Sequence, residues 1–196
     1  MQLSGLFDGI PVLESDRLIL RQLTDAYADA LRLMTQNPRI YRYLPTFLIE
    51  LRVSDPHEMI RRLYGECFLN RKNLILGIFL KNEMQFCGLA EFYGYKETLQ
   101  KTCIGYRLAE EYWGRGIASE TVRIMVEYLY HETDIRIIAA STMVENHASE
   151  HVLEKSGFRC TAHAVPEDWG YEKPTAADKW LKVLIPQQIL ESSATF

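Results

Sequence analysis

Two glycines, Gly114 and Gly116, stand in the stretch Leu108-Ala-Glu-Glu-Tyr-Trp-Gly-Arg-Gly-Ile-Ala-Ser-Glu120, between a run that reads as a strand end and one that reads as a helix start. Such a turn exposes successive backbone N–H groups that no side chain obstructs. The helix behind it adds the positive end of its dipole, so the combination suits a phosphate or pyrophosphate. The same glycines could serve only the backbone angles of a loop. Two phosphate motifs are excluded. A dinucleotide fingerprint needs a third glycine at 119, where Ser119 stands, and a Walker A loop needs a lysine after its glycine, where Arg115 and Ile117 follow. A second pattern competes for attention. His147-Ala-Ser-Glu-His151 matches HxxEH, in which histidines one turn apart bind zinc and the glutamate activates water. Its helix spans only about three turns, and no downstream acidic ligand can be singled out. Exposed helix histidines are therefore the preferred reading, and no metal is expected. Cys67, Cys87, Cys103 and Cys160 form no CxxC pair and show no pattern of activating neighbours, so they read as reduced, mostly buried thiols.

The elements that must position these residues follow from periodicity. Residues 17–23 (RLILRQL) read as a first strand. Thr24 is expected to cap a helix through Ala26, Ala30, Leu31, Leu33 and Met34, which Asn37-Pro38 stops. Asp55 caps a second helix, with Pro56 at its first position and Glu58 completing a capping box; Ile60, Leu63, Tyr64, Cys67 and Phe68 form its apolar face. Residues 74–80, 83–95 and 101–108 then read as an antiparallel meander. A helix over 117–131 follows, with Ala118, Val122, Met125, Val126 and Leu129 facing inward. After it come a strand at 136–142, a helix at 146–156 ended by a left-handed Gly157, and strands at 158–164 and 179–185. One crossover helix separates the strands at 101–108 and 136–142, so these two should run parallel. The fold class is α/β (α+β): a mixed, mostly antiparallel sheet with helices on both faces.

With 196 residues, 47% of them hydrophobic and 24% charged, the chain is long enough for one domain with a substantial core. That core is expected over 14–186, with a flexible tail at 187–196. The net charge of −4 offers no strong basic field to nucleic acid or an anionic membrane but would welcome a small cation. The amino terminus carries Asp8 and Glu14 without a basic and apolar leader. The apolar run at 74–80 is far short of a membrane span. The expectation is a cytoplasmic monomer or homodimer.

Four pieces in order, ESDRLILR from Glu14, GYRLAEEYWGRGIASE from Gly105, Asn146-x-x-Ser149 and LEKSGF ending at Phe158, resemble the GNAT superfamily of acetyl-CoA-dependent N-acetyltransferases. They look most like the branch that acetylates ribosomal-protein amino termini. The resemblance covers most of the chain. It implies the GNAT fold, acetyl-CoA as co-substrate, and direct transfer of acetyl to a primary amine in a ternary complex. A protein amino terminus, a polyamine, an aminoglycoside or a small amino acid derivative would each qualify as acceptor. The family's cofactor loop, Gln/Arg-x-x-Gly-x-Gly/Ala, maps onto Trp113-Gly-Arg-Gly-Ile-Ala118, with Trp113 departing at its first position. By resemblance, Gly114 and the N–H groups of Arg115, Gly116, Ile117, Ala118 and Ser119 would hold the pyrophosphate. The Leu108 backbone would pair with the pantetheine arm, and Asn146 would contact the cofactor as well as cap its helix. The tyrosine that many members use as proton donor is replaced by Leu153, and Ser149, one turn earlier, matches the serine of the ribosomal-protein branch. Glu91, on the strand beside the one carrying Leu108, is the first choice for general base, ahead of Glu145 and of Glu110 and Glu111 on the loop. Tyr41, Tyr43, Tyr93, Tyr95, Trp169 and Tyr171 could wall an acceptor pocket or simply pack. Two other functions compete: a non-catalytic acyl-CoA-binding module and a zinc hydrolase.

Overall fold

The computed structural model describes residues 5–185. Strands β1 (Leu13–Glu14) and β2 (Leu18–Arg21) come first. Helix α1 (Ala28–Thr35) is entered through a 3-10 turn at Asp25–Tyr27, and the Thr24 side chain makes no cap bond. Asn37-Pro38 ends this helix but also starts α2 (Pro38–Tyr41), because the Asn37 side chain accepts the Arg39 N–H at 3.0 Å. Helices α3 (Ile49–Arg52) and α4 (Pro56–Arg62) follow. Asp55 caps α4 by accepting the His57 N–H. Glu58 does not close the expected capping box; its carboxylate pairs with Arg61 and Arg62 on the same helix face instead.

The meander is present as β3 (Asn73–Leu80), β4 (Gln85–Lys96) and β5 (Lys101–Leu108). Then come α5 (Ile117–Glu132), β6 (Ile137–Met143), α6 (His147–Lys155), β7 (Arg159–Glu167) and β8 (Thr175–Val183). Gly157 follows α6 at φ 77°, as expected. The last two strands differ from their expected bounds, β7 running on to Glu167 and β8 starting already at Thr175 and stopping at Val183, because β8 is inserted between β6 and β7 and pairs with both along its length. Pro166 is tolerated in β7 because that strand is the sheet edge. The tail expected at 187–196 lies outside the described residues.

The eight strands form one sheet in the order β1-β2-β3-β4-β5-β6-β8-β7. Leu74, Leu76, Ile78, Ala90 and Phe92 turn to α5, meeting Val122, Met125 and Leu129. Ile75, Phe79 and Leu89 turn to α1, α2 and α4, meeting Leu31, Met34 and Ile60. Ala118 and Val126 of α5 are only half-buried flanks of this stripe. All neighbouring strands are antiparallel except β5 and β6. These two pair in parallel only at Lys101↔Ile137, Thr102↔Ile138 and Cys103↔Ala139. Beyond that point β5 stays with β4 as far as Leu108, and β6 stays with β8 as far as Met143. The sheet therefore opens between residues 104–108 and 140–143. Among the described residues no helix is long and apolar enough to cross a membrane.

Candidate active site

The glycine loop forms at the open end of β5. Gly114 and Gly116 are left-handed, at φ 71° and 75°, and a Cβ at Gly114 would meet nothing within 4 Å. The Gly116 carbonyl accepts the Glu120 N–H at 3.1 Å as α5 begins, so the intervening amides of the first turn have no helical partner. The loop is pinned from the far end of the chain. Arg17 Nε and Ser15 Oγ donate to Glu120 at 2.7 and 2.5 Å, and Arg17 reaches the Arg115 carbonyl at 3.3 Å. Burial would raise the Glu120 pKa, but the bonds from Ser15 and Arg17 outweigh it and hold the carboxyl below its usual range. Beside this loop lies a cleft of about 520 Å³ whose rim includes Ser119, Arg123, Lys155 and Lys182.

Trp113 closes the end of β5, with its indole N–H donating to the Leu108 carbonyl at 2.9 Å. That oxygen is thus committed within the chain, a role for Trp113 that sequence reasoning left blank. A second cavity, of about 320 Å³, occupies the gap in the sheet; residues 104–107 and 140–142, which line it, belong to the stretch where β5 and β6 are unpaired. Asn146 caps α6 by accepting the Ser149 N–H at 3.3 Å. Ser149 Oγ accepts a hydrogen bond from Tyr106 Oη at 3.1 Å. Burial pushes the Tyr106 hydroxyl up from its ordinary value, so the phenol keeps its proton. Tyr106 went unnoticed in the sequence because a tyrosine inside a strand run looks like packing; only its register, across from α6, marks it.

Glu91 lies on the cavity floor and is buried, not on the solvent side of β4. Its carboxylate accepts from Arg107 at 2.7 Å and from Asn73. Arg107 is also buried and touches Glu50 of α3 on its other side. Burial works against the guanidinium charge, and the two carboxylates more than restore it. Burial pushes the Glu50 carboxyl up, with Arg107 pulling the other way. Neither Glu50 nor Arg107 was singled out in the sequence, since their positions 57 residues apart show no motif. Tyr43, Tyr93 and Trp169 line the same cavity, whereas Tyr41 is buried beside the cluster and Tyr95 packs on Phe7 elsewhere. Glu110 holds Asn37 and Arg39 of the α2 region, and Glu111 and Glu145 are exposed. His147 Nδ1 is 3.1 Å from Glu150 and His151 Nδ1 is 4.0 Å from Glu154, both on the outer face of α6. Among the described residues no group of three metal-ligating side chains converges. Burial raises the thiols of Cys67, Cys87 (to about 11) and Cys103, which keeps them unreactive.

Comparison with known proteins supplies the family. A family model described as an acetyltransferase (GNAT) domain matches residues 17–159. The uncharacterized N-acetyltransferase YoaA of Bacillus subtilis (strain 168) is 29% identical over 168 residues, 86% of this chain and 93% of that protein. The solved structure of spermidine N-acetyltransferase from Vibrio cholerae, in complex with CoA and spermine, matches with a TM-score of 0.72 at 19% identity, over 87% of this chain and 97% of that one. RimL, a ribosomal L7/L12 alpha-N-protein acetyltransferase solved in complex with coenzyme A, matches with a TM-score of 0.75 at 18% identity, over 89% and 98%. At such identities the two structures share the fold. The family match itself spans the glycine loop, both splayed strands and α6, and on that ground the chain belongs to the GNAT family and is an acetyl-CoA-dependent acetyltransferase.

Proposed function

We propose that the chain transfers acetyl from acetyl-CoA to a primary amine held in the cavity between β5 and β6, by direct attack and without an acetylated enzyme. One observation carries this reading: the gap in the sheet runs from the glycine loop at the end of β5 to a cavity with a hydroxyl pair at one wall and buried carboxylates on its floor. The residues fit acetyl-CoA. Gly114 and the amides of Arg115, Gly116, Ile117, Ala118 and Ser119 present donors to the pyrophosphate, backed by the α5 dipole. The unpaired edge of β5 toward Leu108 offers backbone groups to the pantetheine arm, with Asn146 facing it across the gap. The bound thioester supplies the electrophilic carbonyl carbon.

The chain's own residues supply the proton chemistry. The Glu91–Arg107–Glu50 cluster accepts the proton of the incoming ammonium, directly or through water, which frees the amine lone pair. Both Glu91 oxygens already have donors, whereas burial raises the carboxyl of Glu50, so Glu50 is the member of the cluster that takes a proton more readily. On the opposite wall Tyr106 donates to Ser149, which leaves the serine hydrogen free to reach a departing thiolate. The test is release of free thiol from acetyl-CoA on addition of amines, with the product identified by mass spectrometry. The reading expects release that depends on amine and yields one acetylated amine per thiol. Binding of acetyl-CoA with no turnover on any amine would point to a non-catalytic binding module instead.

A further inference from the structure

One side chain of the amino-terminal hairpin reaches the backbone of the glycine loop. Arg17 stands in the turn between β1 and β2. The Ser15 N–H closes that turn by donating to the Leu18 carbonyl at 2.9 Å, and Ser15 Oγ accepts the Leu18 N–H at 3.0 Å. The Arg17 carbonyl in turn accepts the Lys81 N–H at 2.9 Å, just past the end of β3. From this fixed base the guanidinium spans two partners. Nε and Nη2 donate to the Glu120 carboxylate, Nε at 2.7 Å, and Nη1 donates to the Arg115 carbonyl at 3.3 Å. It lies against the loop itself, since a Cβ at Gly116 would stand 3.6 Å from Nη2.

The peptide between Arg115 and Gly116 is where this contact acts. It is trans, and in a trans peptide the carbonyl and the following N–H point in opposite directions. An Arg115 carbonyl turned to Arg17 therefore turns the Gly116 N–H away from the hairpin. The glycine does not enforce this by itself. Glycine takes either sign of φ, so the peptide can turn over at small steric cost. A carbonyl oxygen would then meet an anion where a donor had stood. Glu120 adds a second demand. It lies in the first turn of α5, where an unneutralised carboxylate would repel a bound pyrophosphate. Arg17 neutralises it, and Ser15 Oγ, donating at 2.5 Å, helps keep it turned to the hairpin.

Resting on the pyrophosphate role proposed above for the loop, we infer that Arg17 is a positioning residue for the co-substrate. It aims the Gly116 N–H by holding the Arg115 carbonyl, and it cancels the Glu120 charge beside the anion. The test measures CoA binding by calorimetry, and binding of pantetheine, which lacks the pyrophosphate, by ligand-observed NMR. Wild type is compared with Arg17→Gln, Arg17→Lys and Gly116→Val, each checked for folding by thermal melting. Arg17→Gln is expected to weaken CoA about 10-fold, the scale of one charge-assisted hydrogen bond, and to leave pantetheine unchanged. Lysine keeps a charge beside Glu120 but lacks the fork that spans both partners, so Arg17→Lys should show a smaller loss with the same selectivity. That variant carries the test if Arg17→Gln does not fold. Unchanged CoA affinity in the folded Arg17 variants, or equal losses for CoA and pantetheine, overturns the inference. Wild-type CoA affinity in Gly116→Val as well would remove the pyrophosphate assignment beneath it.

Discussion

Ser149 is where residue-scale chemistry separates from structure. Its N–H belongs to the Asn146 cap and its hydroxyl to Tyr106, so two substitutions divide its roles. Ser149→Ala should lower kcat by up to about 100-fold, near the bottom of the range for general-acid help because water can partly substitute. It should leave acetyl-CoA affinity and the cap intact, since Asn146 still accepts the residue 149 N–H. Tyr106→Phe should lower kcat less, and the double variant should fall well short of the product of the two, because the residues act in series. Equal losses in affinity and kcat would make the pair structural. Glu50 makes a pH prediction. Burial raises its carboxyl, and a base must be deprotonated to act, so kcat/KM should climb with pH through a midpoint above the ordinary carboxylate range. Glu50→Gln should abolish that limb, and a pH–rate profile with the limb intact in Glu50→Gln would exclude it as the base. Residue roles were only half legible in the sequence. Ser149 and Asn146 announce themselves by spacing within one helix. Tyr106, Arg107 and Glu50 do not, because Tyr106 meets its partner only where β5 lies across from α6, and Arg107 meets Glu50 only once α3 has folded onto the strand register of β4 and β5.

At the scale of elements, the junction of β5, the glycine loop and α5 is the unit to probe. A β-branched residue at Gly116 must adopt φ 75° and would crowd the donor amides. Gly116→Val is therefore expected to weaken acetyl-CoA binding by at least about 10-fold while costing about 1–2 kcal/mol of stability. Tight binding by calorimetry in the folded variant would remove the pyrophosphate assignment. Glu120 holds the loop to the amino-terminal hairpin through Ser15 and Arg17. Its carboxyl titrates below the usual range in the folded protein, so its stabilisation is present above the unfolded carboxylate pKa and lost as pH falls through the folded value. Wild type should exceed Glu120→Gln by about 1 kcal/mol at pH 7, a gap that closes toward pH 3, as urea melts at both values would show. The elements were more legible than the residues. The meander, the parallel pair and the crossover helix between its strands follow from period and order. The ends of β7 and β8 do not, since Thr175-Ala-Ala-Asp carries no alternation and becomes strand only because β6 and β7 flank it.

For the whole molecule, the parallel contact between β5 and β6 is confined to three residue pairs, and beyond it the two strands part to leave a gap in the sheet. Helices pack on each face of the sheet beside that gap, with α1, α2 and α4 on one side and α5 on the other. The proposed direct transfer needs a ternary complex, and it fits the cysteines around the gap, since burial raises the thiols of Cys67 and Cys103 and makes them poor carriers of an acetyl group. Initial-velocity kinetics, varying acetyl-CoA against fixed amine concentrations, test this most directly. The account predicts double-reciprocal lines that intersect, with no acetylated protein after incubation with acetyl-CoA alone. Parallel lines, together with an acetyl group found on the protein by mass spectrometry, would contradict it.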